Sequence, residues 1–329
     1  MNLPNMQADK SVLVPDARQH LAVSIASPQN DLIAAECEAL TGVRPNGNRL
    51  AFCSRIDQIS QAAYTRYGAT RIVETTSLDG LVQWLLETEY SAPEFRIQVL
   101  NFSAQESRSS LALIIALADA IDSEPNLDHP RHKLLLVVEE KSYWFGEIEV
   151  ETNQGYRQHD AKPQRISTSL PPRLARALVN LAAAEGELMI NPCCGSGSLL
   201  LEAGAIGLSA IGADWNPTMV RIAQQNVAYF GYDVPIDLVD VRQWAQTADV
   251  LIADFPYGKY LAWKETVMLE LLQQAVSLAP VAIYVAAVDI TPWLIKAGYR
   301  DIELLRVSKV AAFTRYIHRA RSDITHSLS

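Results

Sequence analysis

From residue 186 onward, apolar residues gather in short runs separated by stretches of helical spacing. Leu188–Ile190, Ala210–Ala213, Ile236–Val239, Val250–Ala253 and Val281–Val288 read as buried strands. Between and after them, Ser198–Ala205, Pro217–Phe230, Trp263–Leu278 and Thr291–Lys296 carry helical patterns, with Asn216 and Pro217 as a cap and first-turn pair. Alternation of this kind predicts a doubly wound α/β unit with a parallel sheet. Ile302–Val310 and Ala312–His318 then predict a closing antiparallel pair.

The first half reads differently. Leu21–Ile25, Leu50–Cys53 and Arg71–Thr75 are strand-like, with helices expected over Asp31–Leu40, Gln58–Tyr67 and Leu78–Glu89. Ser77 is the expected cap of the last, with Leu81, Leu85 and Leu86 inward. Next come a strand over Glu94–Asn101, a helix over Ser109–Ile121, and a hairpin of Lys133–Glu139 with Tyr143–Glu151. Gly155–Arg173 has no apolar period and holds Arg157, His159, Lys162, Arg165 and Arg173, so it predicts an extended basic connector. Ser169 is placed to cap the helix that follows, whose inner face is Leu174, Ala177, Leu178, Leu181 and Ala182. The expected division is an N-terminal module at 1–90, a second at 91–152, a linker at 153–170 and the α/β unit at 171–329.

Composition narrows the class. At 49% hydrophobic and 20% charged residues the chain reads as globular. No apolar run is long enough to span a membrane, and the N-terminus lacks a signal pattern. Four cysteines without a framework point to a reducing cytoplasm, and no ligand spacing suggests a metal. The formal net charge is −9. Residues 1–165 carry 15 basic and 22 acidic side chains and the remainder 13 and 15, so a polyanionic partner would need a local basic face.

The chemistry concentrates in two places. Asn191–Gly197 (NPCCGSG) is a turn between strand and helix whose glycines let the backbone approach a ligand. Asp214 ends the next strand, placed to hold ribose hydroxyls. A dinucleotide or S-adenosylmethionine fits such a layout. The dinucleotide fingerprint needs a third glycine where Leu200 stands, so that fingerprint fails. The second place is Asp254-Phe255-Pro256-Tyr257-Gly258, at the end of the Val250–Ala253 strand.

The DFPYG run resembles the D/N-P-P-Y motif of amino-methyltransferases. With NPCCGSGSLLLEA upstream and S-L-P-P-R-L-A-R-A-L-V-N-L-A at the junction, the chain resembles the tRNA guanine-N2-methyltransferase family that joins a THUMP RNA-binding domain to a Rossmann-like methyltransferase. The resemblance implies an α/β class I methyltransferase fold preceded by a smaller α+β THUMP-like region at 91–152. It implies S-adenosylmethionine held by Asn191, Cys193, Gly195, Gly197, Asp214, Asp240 and Val241. It implies catalysis by Asp254, Phe255, Pro256 and Tyr257: the Asp254 carboxylate and the Phe255 carbonyl orient the amine, and Tyr257 stacks on the base. It also implies tRNA as substrate, with the guanine at position 10 as target. Arg157, Lys162 and Arg165 are the connector residues expected to touch RNA. Two residues depart from the pattern: Asn191 stands where an acidic residue is usual, and Phe255 where the motif's first proline is usual. An rRNA or DNA amino-methyltransferase and a catalytically silent RNA-binding relative are the alternatives. A small activator subunit is left open.

Overall fold

The structure is a computed structural model that describes residues 19–27, 30–254, 265–310 and 313–323. It forms two compact units. The first takes the described residues up to Val23, Thr41–Ile59 and Tyr67–Glu151; the second takes Ser24–Leu40, Ser60–Arg66 and the chain from Thr152 on.

The first sheet has six strands: β1 (His20–Ser24), β2 (Leu50–Cys53), β3 (Thr65–Thr75), β4 (Phe95–Asn101), β5 (His132–Glu139) and β6 (Ser142–Glu151), in the order β2-β1-β3-β6-β5-β4. The run Leu134–Val138 is buried throughout because β5 is covered on both faces. Leu134, Leu136 and Val138 pack with Leu81, Leu85, Leu113 and Leu117. Leu135 and Val137 pack with Leu21, Leu50, Tyr67 and Trp144. Strands from 1–90 and from 91–152 thus share one sheet, so the described residues do not separate into the two modules expected there. The expected helix over Gln58–Tyr67 is a short 3-10 turn, Asp57–Gln61, followed by the start of β3. Ser77 does cap its helix, accepting from Gly80 N at 3.1 Å, but Leu86 is 58% exposed.

The second sheet carries the α/β pattern read from the sequence. Its strands are β7 (Leu188–Asn191), β8 (Ser209–Asp214), β9 (Ile236–Leu238), β10 (Val250–Asp254), β11 (Val281–Ala286), β12 (Arg300–Val310) and β13 (Phe313–Arg321), ordered β12-β13-β11-β10-β7-β8-β9. β7 through β11 run parallel to one another, while β13 runs antiparallel to both of its neighbours, β11 and β12. From β7 the chain winds outward through β8 and β9, then returns to β10 on the other side. The crevice at this reversal, beyond the carboxyl ends of the strands, is where ligands bind in open α/β sheets.

Two helices beside this sheet come from distant parts of the sequence. Helix α1 (Asn30–Thr41) and helix α4 (Pro172–Ala183) both contribute to one apolar core, through Leu32, Ile33, Leu178 and Leu181 among others. Between them the buried Glu36 accepts hydrogen bonds from Ala63 N, Tyr64 N and Asn180 Nδ2, each at 2.7 Å. Segment 153–170 is no extended tether either. It begins with a 3-10 turn, Gly155–Ala161, whose Tyr156 and His159 are buried. His159 Nδ1 meets Glu202 Oε1 at 2.6 Å, and Arg176 Nε donates to Glu202 Oε2 at 2.8 Å.

Candidate functional site

At the reversal lies a cavity of about 750 Å³. Its walls are built from the ends of successive parallel strands. Asn191 closes β7, and the Pro192–Ser196 turn carries the chain toward helix α5 (Ser198–Ile206). Asp214 closes β8 and Asp254 closes β10. Asp240 and Val241 follow β9, and Val285–Ala287 form the end of β11 and the residue after it. Asp214 and Asp254 sit at strand ends because the buried strand interior is apolar and the polar residue marks the exit, whereas Asp240 lies two residues beyond the more exposed β9.

Asp214 is nearly buried and holds the turn. Its Oδ2 accepts from Gly195 N at 3.0 Å and its Oδ1 from Asn216 N at 2.9 Å. Burial pushes its carboxyl up from the ordinary value against those two hydrogen bonds. Each oxygen keeps lone-pair capacity toward the cavity. Asp240 is held by Arg242, whose Nη2 donates at 2.6 Å and whose backbone N–H donates at 2.9 Å; the pairing lowers the Asp240 carboxyl. Asp254 differs from both. Burial pushes its carboxyl up to about 7, opposed by the Arg315 guanidinium, which also lines the cavity.

The expected cofactor residues Asn191, Cys193, Gly195, Asp214, Asp240 and Val241 all line this one cavity. Gly197 does not. It adopts φ +80° as the residue before α5, and an added Cβ would stand 3.3 Å from Ala223 Cβ, so the glycine serves the turn and its packing against helix α6 (Pro217–Tyr229). Phe255, Pro256 and Tyr257 lie outside the described residues. Of the expected RNA contacts, Arg157 and Arg165 are exposed, but Lys162 is buried. Its Nζ donates to Ser198 Oγ at 2.7 Å and to Ser196 Oγ at 3.2 Å, so it cannot reach a phosphate outside. Ser169 caps no helix; its Oγ pairs with Ser196 Oγ at 2.7 Å, and α4 starts after Pro171 without a side-chain cap.

Reading the sequence missed several wall residues. Ile166–Leu170, expected in the connector, line the cavity, as do Trp215, Arg242 and Arg315. Trp215 had a visible signal: an aromatic directly after the strand-end acid, 69% exposed here. Arg242 and Arg315 had none, since their inward aim is set by the cavity and not by spacing. Cys193 and Cys194 are unsuited to nucleophilic work. Burial raises both thiols, that of Cys194 to about 12, so they stay protonated.

Residues 159–280 match the model of the family described as UPF0020, RMKL-like, methyltransferase domain. The match covers 122 of the 329 residues and takes in the cavity-lining strand ends from β7 to β10. The tRNA (guanine(10)-N2)-dimethyltransferase of Pyrococcus abyssi is 31% identical over 173 residues, 50% of this chain and 52% of that protein. The protein of the same name from Methanocaldococcus jannaschii is 30% identical over 173 residues, 47% of this chain and 49% of its own length. The matches thus span about half the length of these relatives. Among solved structures, the crystal structure of TrmN from Thermus thermophilus has a TM-score of 0.51 at 16% identity, covering 92% of this chain and 99% of that one. The α/β domain therefore has the Rossmann-like fold that the sequence implied. No helix among the described residues is long and apolar enough to cross a membrane.

Proposed function

We propose that this chain transfers a methyl group from S-adenosylmethionine to the exocyclic N2 amine of a guanosine in tRNA, at position 10. The observation that carries the reading is the sharing of one cavity by three carboxylates, at or just beyond strand ends, in different electrostatic states. Asp214 and Asp240 are set in hydrogen bonds, and Asp254 sits at the far strand end with its carboxyl raised to about 7. The names of the archaeal relatives support the substrate.

The wall residues fit the cofactor. Asp214 keeps acceptor capacity for a ribose diol, as expected at the end of this strand. Val241 and Met219 offer apolar flanks to a flat ring, and the Pro192–Ser196 turn leaves its backbone toward the cavity. Once bound there, S-adenosylmethionine supplies an electrophilic methyl on a sulfonium. The chain's own work is orientation. The guanine amine is a weak nucleophile because its lone pair is delocalised into the ring. An ionised Asp254 accepts an amine N–H, draws the lone pair out of conjugation and aims it. The same oxygen receives the proton that the amine must lose. On the resemblance, the Phe255 carbonyl supplies the second acceptor and Tyr257 the stacking face. The exposed Arg157 and Arg165, and the THUMP-like part of the first unit, are proposed to hold the rest of the tRNA.

The test is incubation of purified protein with methyl-labelled S-adenosylmethionine and unmodified tRNA transcripts, followed by nucleoside mass spectrometry. N2-methylated guanosine, lost when position 10 is changed, is the expected product. Label appearing only in rRNA or DNA adenine would replace the substrate. No transfer to any nucleic acid, with cofactor bound, would favour a silent relative.

A further inference from the structure

Lys162 is a buried cation without a carboxylate partner: among the described residues none lies within ion-pair distance of it. The nearby Glu202 is already satisfied by Arg176 and His159. Burying an ammonium in this way is costly unless something compensates it. What Lys162 touches instead is a set of hydroxyls on the cavity wall, Ser196 and Ser198 directly and Ser169 through Ser196.

Proton accounting gives these contacts a direction. An ammonium only donates, so Ser196 Oγ and Ser198 Oγ must accept. The Ser198 O–H then has no acceptor among the described residues and is left for the cavity. Ser196 Oγ and Ser169 Oγ share one hydrogen bond that either hydroxyl can donate, so one O–H of that pair on the cavity wall is left over as well. The result is two hydroxyl donors backed by one buried positive charge, on a cavity whose other polar walls include three carboxylates. The other cations on the wall, Arg242 and Arg315, face Asp240 and Asp254, so an anionic group of a ligand is best received at this end.

We propose that Lys162 is a positioning residue that anchors the carboxylate end of S-adenosylmethionine through Ser198, Ser196 and Ser169. The assignment rests on the methyltransferase reading and adds to it the polarity of the bound cofactor. It also explains why the lysine points inward and not toward RNA. Burial and the Arg165 charge bring the Lys162 ammonium down to about 8, with Glu202 and Asp160 opposing. A carboxylate arriving nearby favours the protonated form, so the anchor is strongest below that pH and fades above it.

Calorimetry with two non-reacting probes separates this role from a structural one. S-adenosylhomocysteine carries the amino-acid end; 5′-methylthioadenosine keeps the adenine, ribose and sulfur but lacks it. Lys162→Met, close in length and uncharged, should lower S-adenosylhomocysteine affinity roughly tenfold to a hundredfold. Affinity for 5′-methylthioadenosine should change by less than about twofold, and the part of the S-adenosylhomocysteine affinity that falls near pH 8 in the wild type should disappear. Ser198→Ala, which deletes only a hydroxyl, should give the same selective loss on a smaller scale, and it stands in if the lysine variant does not fold. Equal loss for both probes, or no loss for either, would overturn the proposal. A wild type that binds neither probe would instead overturn the methyltransferase reading.

Discussion

Asp254→Asn should make this protein more stable and less active at once, and the structure sets the size of both effects. Burial moves the Asp254 carboxyl from 3.8 to about 7. At roughly 1.4 kcal/mol per pH unit, that displacement is a burden of about 4 kcal/mol on the ionised form in the ligand-free protein. The sign follows from linkage. Below the unfolded value both states bind the proton and the group contributes nothing; as pH rises toward 7 the unfolded chain releases its proton first, and stability falls. Asparagine cannot ionise. The variant should therefore equal the wild type near pH 4 and exceed it above pH 7 by an amount on the order of 1–4 kcal/mol, read from urea melts at both pH values. Activity should move the other way. Losing a charged acceptor costs ~1.5–3 kcal/mol, a rate loss of about tenfold to a few hundredfold in single-turnover methyl transfer, and Asp254→Ala should lose more than Asn. The wild-type kcat/KM should rise with pH to a plateau above an apparent pKa near 7, since that ratio reports the free enzyme. Undiminished transfer by Asp254→Ala, or no gain in stability for Asp254→Asn at pH 8, would refute the reasoning.

Further outcomes follow from the other polar anchors. Asp214→Ala removes the acceptor of Gly195 N and Asn216 N, so S-adenosylhomocysteine affinity measured by calorimetry should fall at least tenfold while the fold persists. Glu36→Ala strands two backbone N–H groups and the Asn180 amide in a buried place, and should cost about 2–4 kcal/mol in urea melts; a change under 0.5 would mean the site is wet. Replacing the exposed Arg157 and Arg165 together should weaken tRNA binding and flatten its dependence on salt by about two counterions, whereas an unchanged slope places the contact elsewhere.

The α/β half was legible because its signals are local. The central strands are buried on both faces, so Val250–Ala253 reads as an unbroken apolar run, and the first polar residue after it, Asp254, is the site residue. Failures occurred where a distant partner decides. Gly68 directly follows the helix expected over Gln58–Tyr67, yet it sits inside β3, where Ile56 and Ile59 press against its bare face, with an added Cβ only 2.7 Å from Ile56 Cβ. Lys162 and Ser169 look like a tether and a cap. Their partners, Ser196 and Ser198, lie in a turn about 30 residues away, and no periodicity records that. Leu86 has the right spacing for the inner face of its helix but lies just beyond the stripe that β5 covers. Arg315 is set against Asp254 by the strand order β10-β11-β13, which the sequence leaves unspecified.

The second unit is stitched from segments far apart in the chain, and that has a consequence for how the polypeptide is made. Glu36 and Leu32 leave the ribosome long before their cover: Asn180, which closes on Glu36, is 144 residues behind it. At ordinary rates of ~5–20 residues per second, α1 waits on the order of ten to thirty seconds with its apolar stripe and its acid unmatched. During that interval the nascent chain presents a surface that chaperones recognise. An expression fragment beginning at residue 152 never receives the helix at all, and should bare the apolar side of α4 and aggregate. A fragment restoring residues 24–66 as a separate peptide should rescue it.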